Sequence, residues 1–155
     1  MHLAPAAGAP MESPERLKAV TGRGIEGDRY FKGEGTFSAA TLAEDAPRRQ
    51  LTLFENEVLE TIRRDHNVDL SGEECRMNLV TEGVPLGHLV DVVFKVGEVT
   101  LRGLMINEPC ARLEDVTGKR VSRSLVHRCG LFAEVLSGGV IAPGDVVGPV
   151  NLRPE

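Results

Sequence analysis

From Val92 to Val147 the chain is a succession of short β-forming runs, each stopped by glycine or proline, and this rhythm restricts the fold more than any other feature. Val92-Val93-Phe94-Lys95-Val96 and Val99-Thr100-Leu101-Arg102 flank the two-residue turn Gly97-Glu98, the form of a hairpin. Gly103 leads into a third run, Leu104-Met105-Ile106. Leu131 to Leu136, Val140-Ile141 and Val146-Val147 follow, separated by turns at Ser137-Gly138-Gly139 and Pro143-Gly144-Asp145. No βαβ rhythm, internal repeat or second core is visible. The expectation is a mainly β fold, a small closed or half-closed β-barrel with a few short helices, in a single domain over residues 1–155.

Thr52-Leu53-Phe54-Glu55 has the pattern of a capping box with Thr52 as N-cap. Phe54, Val58 and Ile62 then recur every fourth residue beside Leu59, predicting one amphipathic helix to about Asp65. Pro109 suits a first helical turn, so a short helix is expected from Pro109 to about Val116, capped by Asn107 or Glu108 and followed by Gly118. Residues 119–128 also read as helical, because Val121 and Leu125 lie four apart. Cys75 to Thr81 has strand character, with Arg76 and Asn78 on one face and Met77 and Leu79 on the other. Leu17 to Val20 fits a helical turn or a short strand, and Val84 to Val90 a turn or short helix. Residues 1–14 read as an irregular segment in which His2 to Pro5 is the stub of a strand, and 32–47 as a loop over one face.

Composition narrows the function. The formal net charge is -5, aromatics are 4% and tryptophan is absent, which leaves little for general nucleic-acid binding or base stacking. Cys75, Cys110 and Cys129 form no C-x-x-C pair, so neither a disulfide framework nor a zinc knuckle is expected, and a reducing compartment fits. Residues 1–14 lack the basic flank and apolar stretch of a signal peptide, and no apolar run reaches the length of a membrane span. A cytoplasmic location without a membrane partner is the expectation.

The chemistry gathers around Asn107-Glu108-Pro109-Cys110-Ala111-Arg112. In the first turn of the expected helix, unpaired N–H groups and the dipole would favour a Cys110 thiolate, a nucleophile or soft-metal ligand. The alternative is a small buried hydrophobe, the reading given to Cys75 and Cys129. Lys119, Arg120, Arg123 and Arg128, with His127, make a basic run that suits an anion. Arg76 and Asn78 suit an anion or a heterocycle edge, or else a solvated strand face. Gly24-Ile25-Glu26-Gly27-Asp28-Arg29-Tyr30 suits either a ligand loop or a tight turn with an Asp28–Arg29 ion pair.

Taken together, four stretches resemble the MOSC domain, the family named for the C-terminal domain of molybdenum cofactor sulfurases. They are Gly24 to Tyr30; Arg76-Met77-Asn78-Leu79-Val80-Thr81-Glu82-Gly83-Val84; Asn107 to Arg112; and His127-Arg128-Cys129-Gly130-Leu131 with Gly138-Gly139-Val140-Ile141-Ala142-Pro143-Gly144-Asp145. They run in the family's order from about Gly22 to Val147, as in its small stand-alone bacterial members. The resemblance implies a β-barrel carrying molybdenum cofactor (molybdopterin), with Cys110 as both the metal ligand and the catalytic residue. It implies Arg76 and Asn78 at the pterin, Thr52, His127 and Arg128 toward its phosphate, and Asp28, Arg29 and Arg112 among the cofactor-binding residues. It further implies reduction of small N-hydroxylated compounds. No flavin, haem or iron-sulfur motif is present, so electrons would come from a partner reductase. The alternatives are a cofactor or sulfur carrier with a Cys110 persulfide, served by a cofactor-donating protein, and a non-catalytic ligand-binding module; a monomer or homodimer is expected. Two departures stand out: Cys129 replaces a frequent glycine, and Gly33-Glu34-Gly35 lacks the histidines of some relatives.

Overall fold

The computed structural model describes residues 1–35 and 49–150. Most of the loop expected over 32–47 therefore lies outside the described residues. Nine strands and three short α-helices are present among the described residues, in the order β1 (Leu17–Val20), β2 (Gly24–Ile25), β3 (Leu51–Glu55), α1 (Asn56–His66), β4 (Leu79–Thr81), β5 (Val93–Val96), β6 (Val99–Ile106), α2 (Ala111–Thr117), α3 (Ser122–Leu125), β7 (Leu131–Ser137), β8 (Gly139–Ile141) and β9 (Val147–Pro149). A single 3-10 turn covers Leu86–Leu89.

Six strands form a curled half-barrel sheet in the order β4-β3-β7-β6-β5-β9, and a three-stranded sheet, β2-β1-β8, lies with it. Every pairing is antiparallel except β3 with β4. The β5–β6 hairpin has its turn at Gly97-Glu98, with Val96 opposite Val99. The run Leu104 to Ile106 is not a separate strand. It continues β6 past Gly103, where the register against β7 shifts between Gly103 and Met105. Gly103 crosses so close to the Leu89 carbonyl that a Cβ there would collide with it. This bend aims the end of β6 toward Asn107 to Cys110.

An apolar cluster packs against each face of the sheet. Inside the curl, Leu17, Ile25, Leu51, Leu53, Phe94, Leu101 and Leu131 make one apolar cluster. On the outer face Phe54, Val58, Ile62, Leu113, Val121 and Leu125 make a second, roofed by the helices. Strand β3 serves both, and this explains one correction. Leu51 to Phe54 are all buried, so Thr52 is a strand residue rather than an N-cap. The capping-box pattern yields to a strand packed from both sides, and α1 starts at Asn56 with Glu55 in the cap position. The amphipathic stripe itself is present, with Val58 and Ile62 inward, and Asn67 closes the helix in the left-handed conformation.

Other local expectations also shift. Leu17 to Val20 is a strand, and the 119–128 helix shrinks to Ser122–Leu125 because His127 takes a positive φ of 62°. Only Leu79–Thr81 of the Cys75–Thr81 run pairs as a strand, since Arg76 at φ 58° breaks the extended backbone. The N-terminal segment is irregular yet packed: Leu3 bridges Glu12, and Ala4 and Met11 are buried. No helix among the described residues is long and apolar enough to cross a membrane.

Candidate functional site

Where the end of β6, the start of α2, β3, β7 and the N-terminal segment meet, they enclose a cleft of about 620 Å³ including its open mouth. Cys110, Arg112, Cys129, Cys75 and Arg76 line it, with Phe132 among the apolar residues.

Cys110 is half-buried on the wall of this cleft. Its backbone is extended (φ -129°, ψ 158°), and it is the N-cap of α2 rather than a residue of the first turn. The expected start at Pro109 is delayed because the preceding residues are tied to the 127–130 turn. The Asn107 amide donates to the Gly130 carbonyl at 2.8 Å, and the Glu108 carboxylate accepts from the His127 amide at 2.9 Å. Helical turns begin only once this clip is passed, and Gly118 ends α2 at φ 67°. On the other side of the clip Cys129 takes no left-handed backbone, and the turn's positive φ values fall on His127 and Gly130. The demand for glycine is met at Gly130, where a Cβ would collide with the Leu53 carbonyl.

Beside the cleft lies a fully satisfied polar hub. Asn78 is wholly buried; its Oδ1 accepts from the Thr52 amide and hydroxyl at 3.0 Å each, and its own amide donates to that hydroxyl at 3.0 Å. Its Nδ2 donates to the His2 carbonyl at 3.2 Å and to Asp28 Oδ1 at 3.3 Å. Asp28, also wholly buried, accepts from the Ala4 and Tyr30 amides at 3.0 Å each and pairs with Arg29 at 3.3 Å. Arg29 in turn donates to the Arg76 carbonyl at 3.0 Å. The hub ties the N-terminal segment, the Gly24–Tyr30 loop and β3 together, and fixes the backbone that presents Arg76.

Arg76 is the group this arrangement leaves available. Its Nη1 donates to the Ala9 carbonyl at 2.9 Å, while Nη2 is buried and has no hydrogen-bond partner among the described residues. Burial first, and then the charges of Arg29 and Arg112, hold its pKa below the ordinary arginine value. Arg112 reaches across to the N-terminal segment, where a Cβ on Gly8 would lie 3.2 Å from its Nη2. Three guanidinium groups thus converge on one cleft; Arg29 is paired with Asp28 and the lining carboxylate Glu108 is held by His127, which leaves Arg76 and Arg112 to suit an anionic ligand group.

The structure brings Cys110, Arg76, Arg112, Arg29 and Thr52 to the cleft, places Asn78 and Asp28 in the hub, and puts His127 and Arg128 elsewhere. His127 is exposed, its Nδ1 2.7 Å from Glu108 Oε1. Its amide, and then its ring, hold the Glu108 carboxyl below the usual carboxylate range. Arg128 caps α3 through the Ser124 carbonyl at 2.7 Å and points its other end at His66. Sequence reasoning missed the N-terminal residues Gly8 and Ala9 and the cleft positions of Cys75 and Cys129. Nothing local in an Ala-Gly segment signals a contact made 67 residues away, as between Ala9 and Arg76.

The family model for the MOSC domain matches residues 32–148. The chain belongs to the MOSC domain family. The crystal structure of YuaD from Bacillus subtilis superposes with a TM-score of 0.77 at 20% identity, covering 95% of this chain and 91% of that one. YiiM from Escherichia coli gives 0.59 at 18% identity, over 100% of this chain and 72% of that one. YiiM from Geobacillus stearothermophilus gives 0.58 at 16% identity, over 66% and 55%. These likenesses establish a shared MOSC-type fold. No curated protein matches the chain.

MOSC domains are associated with molybdenum cofactor, and the residues present fit such a group. A soft thiol sits on the cleft wall, and Arg76 Nη2 lacks a partner at the same cleft. No cluster of three His, Cys, Asp or Glu side chains among the described residues could hold a metal unaided. A metal at Cys110 would therefore need further ligands from beyond the described residues.

Proposed function

We propose that this MOSC protein binds molybdenum cofactor in the cleft and reduces small N-hydroxylated molecules, with electrons from a partner reductase. The observation that carries the reading is the pairing, in one cleft, of the Cys110 thiol with the buried, unpartnered Nη2 of Arg76. In this reading Cys110, as thiolate, is the protein's ligand to the metal. Arg76 and Arg112 receive the anionic part of the cofactor, and Asn78, Asp28 and Thr52 hold the backbone that presents Arg76. When bound, the cofactor would supply a two-electron redox centre. The open side of the cleft leaves Cys110 reachable by a small substrate.

Protein purified from a host that makes the cofactor is expected to turn over a simple hydroxylamine with a reduced viologen dye as donor. Molybdenum-loaded protein without turnover would refute the reductase reading. A carrier reading draws on the presence of three thiols at the cleft. It predicts instead a persulfide on Cys110, a mass increase of about 32 Da from one added sulfur atom, that disappears in Cys110→Ser.

A further inference from the structure

Cys75, Cys110 and Cys129 are distant in sequence, all free, and all line the one cleft. The function proposed above uses only Cys110. The three sulfurs are graded in exposure: Cys110 is half-buried, while Cys129 and Cys75 are each 1% exposed. Only Cys110 is open to solvent, and of the two pairings open to it the first is with Cys129.

The backbone supports the first pairing. The segments carrying Cys110 and Cys129 are clipped together twice, by the Asn107 amide on the Gly130 carbonyl at 2.8 Å and by Glu108 on the His127 amide at 2.9 Å. The Asn107 side chain lies across the join, donating to the Cys129 carbonyl at 3.2 Å with Cys129 Sγ 3.8 Å away. Cys75 is held differently: its thiol donates to the Ser71 carbonyl at 3.1 Å, on its own loop.

We propose that Cys110 and Cys129 form an oxidative modification site, in which a hydroperoxide oxidises Cys110 and Cys129 then resolves it to an intramolecular disulfide. In the first step the Cys110 sulfur, as thiolate, attacks one peroxide oxygen; the S–O bond forms as the O–O bond breaks, and the leaving hydroxide takes up the proton the thiol gave, so that hydrogen peroxide yields a sulfenic acid and one water. In the second the Cys129 sulfur attacks the Cys110 sulfur. The S–O bond breaks, and the hydroxyl leaves as water with the proton of the Cys129 thiol. Two thiols are oxidised, one peroxide is reduced and two waters form. Cys129 is shielded from bulk oxidant, so Cys110 reacts first and Cys129 acts only as the second thiol. The product withdraws Cys110 from metal or substrate and protects it from irreversible oxidation until a thiol reductant restores it.

The test uses the full chain purified from a host unable to make molybdenum cofactor, so that the outcome does not depend on metal binding. Protein is treated with a small excess of hydrogen peroxide, blocked with N-ethylmaleimide and mapped by peptide mass spectrometry. Wild type is expected to give a Cys110–Cys129 cross-linked peptide reversible by dithiothreitol, and Cys75→Ala the same. Cys129→Ala is expected to give a dimedone-trappable sulfenic acid at Cys110, passing on to sulfinic acid. The proposal is overturned if wild type shows Cys110 sulfenic or sulfinic acid with Cys129 still alkylated. A Cys75–Cys129 or intermolecular pairing would overturn it equally, and the wild-type map alone decides should Cys129→Ala not fold.

Discussion

Replacing Asn78 with alanine tests whether the polar hub, rather than any single strand, holds the cleft's walls in place. The side chain is fully buried and makes four hydrogen bonds: to the Thr52 amide, the Thr52 hydroxyl, the His2 carbonyl and Asp28. Each such bond contributes about 1 kcal/mol net, and a buried partner left unsatisfied costs a further 1–3 kcal/mol or so. The Thr52 hydroxyl still receives the Asn78 backbone amide, and Asp28 keeps its amide and Arg29 donors, so the unrelieved loss centres on the Thr52 amide of buried β3. The sum is a destabilisation of about 5–7 kcal/mol, which for a domain of this size lowers Tm by roughly 10–28 °C. Urea unfolding followed by circular dichroism measures it, with an unchanged m-value showing that the unfolded reference is the same. Asn78→Asp should cost at least as much, because it removes the donor to Asp28 and sets a second carboxylate against it. A loss below about 1 kcal/mol for the alanine variant would refute the hub as a structural unit.

Three further outcomes follow from the same geometry. Gly130→Ala, at φ 95° with a Cβ directed onto the Leu53 carbonyl, should destabilise by at least about 2 kcal/mol in urea unfolding; a neutral result would contradict the close approach of the turn to β3. The Lys119 ammonium, 2.6 Å away, and then the Ser71 amide hold Glu74 below the usual carboxylate range. A depressed folded pKa means the pair's stabilisation is present above the ordinary glutamate value and lost as pH falls through the folded one. Carboxyl NMR titration should show Glu74 titrating low in wild type and moving up in Lys119→Met, and no movement would remove Lys119 as the cause. Arg76→Met should still fold, losing about 1–2 kcal/mol with the Nη1 bond to the Ala9 carbonyl and nothing at the unpartnered Nη2, yet retain little molybdenum after purification. Metal content equal to wild type would argue that Arg76 does not hold the cofactor.

Sequence predicted best where one signal dominated. The β5–β6 hairpin was set by a two-residue Gly-Glu turn between apolar runs, and the inward face of α1 by Val58 and Ile62 four apart. Thr52 misled because its capping-box neighbours are local, whereas burial of β3 from two sides is a tertiary fact. Arg76 and His127 broke an expected strand and helix by adopting left-handed backbone, which neither residue type announces. The four motif stretches pointed to the region of the cleft, with Cys110, Arg76 and Arg112 on its wall. The division between residues that face the cleft and residues that support it was not visible. Asn78 and Asp28 look like ligand residues in sequence, and only their hydrogen-bond partners at positions 2, 4 and 52 place them in the hub. The N-terminal wall was hidden for the same reason: Ala9 contributes a backbone carbonyl, which carries no sequence signature.

Elemental mass spectrometry of protein from a cofactor-producing host tests whether Cys110 holds molybdenum in this cleft. Wild type is expected to carry close to one molybdenum per chain and Cys110→Ser almost none, with both variants folded by circular dichroism. Wild type without molybdenum, or Cys110→Ser retaining as much as wild type, would contradict it.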